Sequence, residues 1–276
     1  MNIKLWIEKT VKKLSYCDNP KYEAELLLMH VTQCSPIDIF ILNNIKISDI
    51  KLKCLTNLVH RRSLGEPMAY LTGEKEFWSL SLRVSYDTLI PRPDTEILVE
   101  KTIEKISNPY SSILDLGTGC GAIALALANT CPTWSITGID NSKQALKIAK
   151  FNALKLKLHN IYFFYSNWFS HIYKKFDIIV SNPPYISINE IKNLKRDILF
   201  EPINALFSDK NGFADIELII KTSFQYLLYN GWLLIEHGWK QKSIIQYLFQ
   251  KYKFSDIQSY KDYGGNDRVT IGKKVK

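Results

Sequence analysis

The sequence lacks the cysteine patterns of a zinc-binding or disulfide-linked protein. Its five cysteines are an odd number and form no Cys-x-x-Cys pair, which favours a reduced, cytoplasmic protein without a metal site. No apolar run approaches the roughly 20 residues that a membrane-spanning helix needs. Residues 1–14 carry Glu8 and four lysines without an uninterrupted apolar stretch, so we predict no signal peptide. These absences exclude the disulfide-rich secreted and membrane-spanning classes.

Positive charge is not concentrated in any one part of the sequence. The 276 residues carry a formal net charge of +9, which suits a nucleic-acid partner. The lysines are scattered along the whole chain, however, and no basic stripe is interleaved with aromatic residues. We therefore expect no direct contact with nucleic acid. With 46% hydrophobic residues, the chain is able to bury a core in one large or two modest domains.

Residues 1–64 show the apolar spacing of helices and contain no cluster of catalytic side chains. Asn19 followed by Pro20 predicts the start of one helix, and Ser48 predicts the cap of another. A short apolar segment, 37–42, lies between them. We interpret this region as a small helical domain that makes contact with a partner.

Residues 65–93 differ in composition from the region before them and predict a hairpin that links two domains. Leu80, Leu82 and Val84 alternate with polar residues, which is the pattern of a strand with one buried face. The prolines at the end of the segment make it too stiff for a flexible linker.

The third region, 94–276, alternates strands with helices, which is the signature of a parallel sheet covered on both faces. We expect Asp94 or Thr95 to cap its first helix, over 96–106. A hairpin at the end of the parallel run would place one antiparallel strand inside the sheet. We predict an α/β fold with a doubly wound, mostly parallel seven-stranded sheet, its strands over 112–116, 135–139, 161–165, 176–180, 231–236, 257–263 and 268–271.

A glycine-rich loop joins the first of these strands to its helix. In Asp-Leu-Gly-Thr-Gly-Cys-Gly, residues 115–121, the glycines let the backbone turn tightly and approach a ligand at the helix start. Asp140 ends the next strand, where a carboxylate can accept hydrogen bonds from both hydroxyls of a ribose. Asn167 and Trp168 follow the third strand, where the edge and face of an adenine would lie. An adenosine ligand is indicated, either NAD or S-adenosylmethionine (SAM).

The sequence Asn-Pro-Pro-Tyr, residues 182–185, follows the fourth strand and distinguishes these two cofactors. Neither proline can donate to a sheet ladder, so the strand ends there with a stiff exit. The Asn182 side-chain oxygen and the Pro183 carbonyl are two acceptors suited to one –NH₂ group. Holding both N–H bonds would orient a planar nitrogen for methylation and stabilise the charge that develops, while Tyr185 packs over the planar group. Hydride transfer needs no such pair, so the motif favours SAM over NAD.

These motifs together resemble a class I SAM-dependent methyltransferase. Further motifs are similar to the PrmC/HemK family of release factor glutamine methyltransferases over essentially the whole chain: Gly65-Glu-Pro-x-Ala-Tyr, Glu76-Phe-Trp, Ile90-Pro-Arg-Pro-Asp-Thr-Glu, Phe200-Glu-Pro and Glu236-His-Gly-Trp. The resemblance implies an enzyme that methylates the N(5) side-chain amide of the glutamine in the Gly-Gly-Gln motif of bacterial class-1 release factors.

The resemblance also implies a role for each site residue. SAM would contact Gly117, Thr118, Gly119, Cys120, Gly121, Asp140, Asn167, Trp168 and Asn182. The glutamine would lie against Asn182, Pro183, Pro184 and Tyr185, with Asn182 and Pro183 as the catalytic pair. The family commonly has aspartate where this chain has Asn167. Its amide oxygen can still accept from the adenine amino group, so we expect weaker cofactor affinity at most. Residues 1–64 would recognise the release factor, and we expect a monomer.

Three other functions remain open at this point. An adenine-N(6) methyltransferase of nucleic acids shares Asn-Pro-Pro-Tyr, but it needs a surface for a flipped base, and residues 1–64 are neither basic nor aromatic enough. An NAD-dependent dehydrogenase is disfavoured by the same motif and by the lack of a proton donor. A protein that only binds SAM would leave the pair of acceptors without a use.

Overall fold

The computed structural model describes residues 1–41, 44–106 and 108–275. The chain divides into two compact units, Met1–Gly73 with Lys195–Phe200 and Glu74–Leu194 with Glu201–Lys276. Among the described residues, no helix combines the length and the apolar character needed to cross a membrane.

Helices make up the first unit: α1 (Ile3–Lys13), α2 (Pro20–Thr32), α3 (Pro36–Ile41), α4 (Asp49–Ser63) and α5 (Met68–Thr72). Two predicted helix starts are confirmed, because the side chains of Asn19 and Ser48 accept hydrogen bonds from backbone amides in the first turns of α2 and α4. The apolar segment 37–42 is helical as far as Ile41, and Leu42 lies outside the described residues. Fully buried leucines form the core of this unit: Leu14, Leu27, Leu28 and Leu55.

The second unit begins with the predicted hairpin, formed by β1 (Glu74–Phe77) and β2 (Leu80–Arg83). Its two-residue turn consists of Trp78 and Ser79, which have φ angles of 51° and 59°. Two successive residues with positive φ match the right-handed twist of the flanking strands, although Asn and Gly are the usual occupants of such turns. The alternation of Leu80 and Leu82 therefore predicted the strand, but nothing in the sequence marked this turn.

The second unit is organised around a seven-stranded sheet with the strand order β5-β4-β3-β6-β7-β9-β8. Its members are β3 (Ser112–Leu116), β4 (Ser135–Asp140), β5 (Ile161–Tyr165), β6 (Phe176–Ser181), β7 (Leu227–Glu236), β8 (Phe254–Lys261) and β9 (Asp267–Lys274). Strand β9 is antiparallel to both of its neighbours, and the pairings among β3 to β7 are parallel. The predicted fold class, with one antiparallel strand inside a mostly parallel sheet, is confirmed.

The helices of this unit are α6 (Glu96–Glu104), α7 (Ala122–Thr130), α8 (Lys143–Lys155), α9 (Ile203–Leu206), α10 (Asp209–Gly212), α11 (Ala214–Tyr226) and α12 (Lys242–Lys251). Helix α10 is a short turn in which three residues, Lys210, Asn211 and Gly212, have positive φ. Strand β7 begins at Leu227 rather than at 231, because the fully buried Leu227 already pairs with Phe176 of β6.

The start of α6 differs from its prediction. Asp94 and Thr95 lie in a 3-10 turn that leads into the helix, and neither side chain caps it. Thr95 has helical dihedral angles, with φ −70° and ψ −18°, whereas a capping residue usually has extended backbone. The Asp94 carboxylate instead pairs with Arg268 at 3.1 Å. The hydroxyl of Thr95 is therefore available to another partner.

The buried side chain of Asn152, on α8, joins the hairpin to the glycine-rich loop. Its Nδ2 donates to the carbonyls of Arg83, at 3.0 Å, and Cys120, at 2.9 Å. Its Oδ1 accepts from the Arg83 amide at 2.8 Å. One amide side chain thus satisfies three backbone groups and fixes the loop relative to β2.

Candidate active site

The predicted site residues come together at the carboxyl edge of the sheet. Strands β4, β3 and β6 are adjacent and parallel, so the loops that follow them start side by side. A cavity with about 670 Å³ of empty space, part of it open to solvent, lies at this edge. The predicted residues that line it are Gly117, Gly119, Asp140, Trp168, Asn182 and Pro184.

The glycine-rich loop brings bare backbone to the cavity. Gly117, Gly119 and Gly121 all have positive φ, the left-handed conformation that favours glycine. At Gly119, where φ is 57°, a Cβ would meet no other atom within 4 Å. The space beside this residue is therefore open to a ligand. Thr118 and Cys120 are buried instead and do not line the cavity.

Asp115 is buried next to this loop and is hydrogen-bonded to it. Its side chain is fully buried, and the Thr118 hydroxyl donates to its Oδ2 at 2.6 Å. Burial raises the pKa of Asp115 to about 7, and the nearby charge of Asp140 acts in the same direction. The Thr118 hydroxyl and the Ala124 backbone amide oppose this rise. The loop is thus packed over a carboxyl group that is costly to ionise.

Asp140, at the end of β4, shapes the cavity and faces it. Its Oδ2 accepts from the Gly119 amide at 2.8 Å, and its Oδ1 accepts from the Ser142 amide at 2.8 Å. Burial raises its pKa, and these backbone hydrogen bonds oppose the rise. Each carboxylate oxygen can accept about two hydrogen bonds, so both keep a lone pair for a ligand.

Trp168 lines the cavity on the side of β5. Its indole packs beside Gly117, where a Cβ would lie 3.6 Å from the ring, and its Nε1 donates to Asp215 Oδ1 at 3.2 Å. Asn167 is exposed and is not among the residues that line the cavity. The role predicted for it, holding the edge of an adenine, stays a prediction.

Asn182 presents the oxygen of its amide as a possible acceptor. Its Nδ2 donates to Thr95 Oγ1 at 3.3 Å. Among the described residues, none donates a hydrogen bond to Asn182 Oδ1 or to the carbonyl of Pro183. Both predicted acceptors thus lack a partner in this part of the chain, but only Asn182 lines the cavity, whereas Pro183 is buried and does not line it.

Tyr185 is held at several points after the two prolines. Its hydroxyl donates to Glu236 Oε1 at 3.5 Å, and its carbonyl accepts from Gln241 Nε2 at 3.0 Å. Burial, with the charge of Glu236, raises the pKa of the Tyr185 phenol. A Cβ at Gly212 would lie 2.1 Å from the Tyr185 carbonyl oxygen, and φ there is +87°, so no other residue fits that position.

Two walls of the cavity were not predicted. They are formed by Asp87–Leu89 on one side and by Pro202, Asn204 and Ala205 on the other. The fully buried side chain of Glu201 connects them, because it accepts from the Ile90 amide at 2.9 Å and pairs with Arg92. The motifs that contain Ile90 and Glu201 were distinctive in the sequence, but only the fold shows that these two residues are in contact.

Two family models match the chain, a methyltransferase small domain over residues 93–212 and a PrmC N-terminal domain over residues 6–73. The fold also matches the catalytic domain of hMettl16, with a TM-score of 0.62 and 16% identity over 95% of this chain and 96% of that one. A methyltransferase from Pyrococcus furiosus matches with a TM-score of 0.54 and 17% identity over 83% of this chain and 100% of that one. These two likenesses concern the fold alone. The family models and the fold together define a class I methyltransferase.

Relatives in sequence are more specific. The chain is 64% identical to the release factor glutamine methyltransferase of Buchnera aphidicola subsp. Schizaphis graminum, over 99% of this chain and 100% of that protein. It is 42% identical to the release factor glutamine methyltransferase of Escherichia coli strain K12, over 99% of both chains. The chain belongs to the family of release factor glutamine methyltransferases.

The raised pKa of Asp115 predicts a pH-dependent stability. The unfolded carboxyl group titrates near 3.9, and the folded one at about 7. Because the folded state then binds the proton more tightly, this group's contribution to stability is lost as pH rises from about 4 to about 7. Between pH 5 and pH 7, titration of Asp115 should lower the parent's free energy of unfolding by about 2–3 kcal/mol. Asp115→Asn lacks this group, so its free energy of unfolding, measured by urea denaturation, should fall by that much less over the same pH range. If the free energy of unfolding changed with pH to the same extent in both proteins, the prediction would be contradicted. Glu190→Gln, at an exposed site, is the control.

Proposed function

We propose that this chain transfers a methyl group from SAM to the N(5) side-chain amide of the glutamine in the Gly-Gly-Gln motif of bacterial class-1 release factors. The observation that carries the proposal is the pair of acceptors at Asn182 Oδ1 and the Pro183 carbonyl, which is suited to an –NH₂ group. The names of the relatives support the same substrate. Release factors act on ribosomes, so we propose that the enzyme works in the cytoplasm. Its monomeric state stays a prediction.

Several features of the cavity suit SAM as the methyl donor. When bound, SAM supplies a methyl group on a positively charged sulfur, which a nitrogen lone pair can attack. Asp140 would bind the ribose hydroxyls with the lone pairs that its two backbone hydrogen bonds leave available. Trp168 offers an aromatic face for the adenine, and the bare backbone at Gly119 leaves room beside the carboxylate.

The chain's own residues would act mainly by orienting the substrate amide. The nitrogen of a glutamine side chain is planar, and its lone pair is delocalised into the carbonyl. Asn182 Oδ1 and the Pro183 carbonyl would each accept one of the two N–H bonds and stabilise the positive charge as the N–C bond forms. Tyr185 would pack over the planar group, and Pro184 forms part of the cavity wall. The methylated nitrogen is acidic and loses a proton to water, so no strong base is required.

The direct test is mass spectrometry of a purified release factor after incubation with this protein and SAM. We expect one added methyl group on the Gly-Gly-Gln peptide, and none on a release factor in which that glutamine is replaced by glutamate. In a parallel reaction, nucleic acid replaces the release factor. Methylated adenine there, with an unmodified release factor, would overturn the proposal in favour of an adenine-N(6) methyltransferase.

Replacing Asn182 should impair catalysis more than cofactor binding. In Asn182→Ala one of the two acceptors is lost, and we expect the single-turnover methylation rate to fall on the order of 100-fold, with SAM affinity nearly intact. Asn182→Asp keeps an acceptor but adds charge, which makes it the sharper comparison. Asn189→Ala, at an exposed position of the same loop, is the control. A parental rate in Asn182→Ala would remove the orienting role.

Replacing Asp140 should impair cofactor binding. Asp140→Ala removes both the carboxylate proposed for the ribose and the acceptor that fixes the Gly119 amide. We expect SAM binding, measured by calorimetry, to weaken by about 2–3 kcal/mol, the range for hydrogen bonds to a charged group. Glu190→Ala should bind SAM like the parent. Unchanged affinity in a folded Asp140→Ala protein would exclude this residue from the site.

We also propose that the helices within residues 1–64 recognise the release factor. One glutamine side chain offers little surface, so specificity needs contacts far from the methyl group. Large apolar side chains are exposed on these helices, including Phe40, at 81%, and Ile50, at 85%. Phe40 also borders a groove that it shares with Ile7, Val11 and Met29. Exposed apolar groups of this kind are typical of a protein-binding surface.

Phe40→Ser tests this assignment. We expect its KM for intact release factor to rise about tenfold, the scale of one important interface contact, while activity on a short Gly-Gly-Gln peptide stays unchanged. Tyr173→Ser, in the second unit at 89% exposure, should change neither quantity. An unchanged KM in Phe40→Ser, or equal losses on the peptide and the intact protein, would contradict a recognition role for Phe40.

A further inference from the structure

Two buried polar residues next to the Asn-Pro-Pro-Tyr motif have no part in the chemistry described so far. Thr95 lies just before α6 and is 4% exposed, and Glu236 ends β7 and is 1% exposed. Thr95 Oγ1 accepts from Asn182 Nδ2 at 3.3 Å, and Glu236 Oε1 accepts from the Tyr185 hydroxyl at 3.5 Å. Both ends of the motif thus contact a buried polar side chain.

The orientation of the Asn182 amide depends on the direction of its hydrogen bond to Thr95. An asparagine side chain can present either its oxygen or its nitrogen on a given side, because the two groups have almost the same shape. A threonine hydroxyl can accept from the nitrogen or donate to the oxygen. If Thr95 donated, the Asn182 amide would turn by half a rotation and present N–H groups, which cannot accept from a substrate –NH₂.

Glu236 provides a reason for Thr95 to accept rather than donate. An ionised carboxylate is only an acceptor, so hydroxyl groups beside it direct their protons towards it. Burial raises the pKa of Glu236 to about 7, and the Thr95 hydroxyl, the charge of Arg268 and the Tyr185 hydroxyl oppose this rise. Glu236 Oε2 has no partner within hydrogen-bond distance among the described residues. A hydroxyl proton drawn towards this carboxylate leaves the lone pairs of Thr95 for Asn182.

We infer that Thr95 and Glu236 are positioning residues, which together hold the Asn182 amide with its oxygen towards the substrate. The inference rests on the proposed function for the identity of that substrate. Helix capping does not explain Thr95, because its side chain makes no capping hydrogen bond to α6. The same carboxylate also fixes the hydroxyl of Tyr185. One buried acid thus sets the hydrogen-bond direction at Asn182 and the position of the ring that covers the substrate amide.

The test compares Thr95→Val with Thr95→Ser at pH 8, above the pKa of Glu236. Valine keeps the shape of threonine and removes the hydroxyl, whereas serine keeps the hydroxyl. For Thr95→Val we expect the single-turnover methylation rate to fall about tenfold, the loss of one hydrogen bond, with SAM affinity and KM for the release factor unchanged. Thr95→Ser should restore most of the rate.

The same substitution in an Asn182→Ala background separates positioning from a general structural role. If Thr95 acts through Asn182, Thr95→Val should cause no further loss when Asn182 is already alanine. Glu236→Gln should also slow the parent, because its amide can donate to Thr95 and reverse the hydrogen bond, but part of its loss should persist in the Asn182→Ala background because Glu236 also holds Tyr185. An equal proportional loss from Thr95→Val in both backgrounds would overturn the inference while leaving the proposed function intact.

A measurement that does not depend on methylation keeps the inference testable if the proposed function fails. The side-chain NH₂ of Asn182 can be assigned in a nitrogen–proton NMR spectrum by its absence from Asn182→Ala. We expect slow exchange of this group with solvent in the parent and in Thr95→Ser, and fast exchange in Thr95→Val. Fast exchange in the parent would show that Thr95 does not hold the amide, and would overturn the inference whatever the substrate.

Discussion

The hydrogen bond from Asn182 to Thr95 decides which side of one amide group faces the cavity, and the chemistry depends on that choice. With its nitrogen bound to Thr95, Asn182 keeps its side-chain oxygen for another partner, and we propose that this oxygen acts together with the Pro183 carbonyl. Two fixed acceptors suit a planar –NH₂ group, whereas an acceptor beside a donor would suit a different substrate. The prolines keep this geometry rigid because they end β6 and restrict the residues before them.

The sheet determines where these groups can meet. Because β4, β3 and β6 are parallel neighbours, the Asp140 carboxylate, the glycine-rich loop and Asn182 all follow strands that end at one edge. Two buried carboxyl groups, Asp115 and Glu236, support this edge, and burial raises the pKa of each to about 7. A carboxyl group whose pKa is raised by burial lowers the free energy of unfolding near neutral pH. Residues that are destabilising in this way are common at functional sites.

The sequence was sufficient to predict what depends on local pattern. Strand β3 was predicted with its observed bounds, because an apolar run between a polar start and a glycine turn leaves little choice. The hydrogen bond between Asn182 and Thr95 joins residues 87 positions apart, and the contact of Tyr185 with Glu236 joins residues 51 apart. No periodicity encodes such pairs. The cap predicted at Asp94 or Thr95 was wrong for the same reason, since both side chains bind distant partners and the backbone at Thr95 is already helical.

The central claim is that Asn182 and Pro183 accept both N–H bonds of the substrate amide. A crystal structure of this protein with a release factor and S-adenosylhomocysteine, the product left after methyl transfer, tests it most directly. We predict that the nitrogen of the Gly-Gly-Gln glutamine lies within hydrogen-bond distance of Asn182 Oδ1 and of the Pro183 carbonyl oxygen. A glutamine whose amide nitrogen contacts neither oxygen, or an Asn182 amide turned with its nitrogen towards the substrate, would contradict the account.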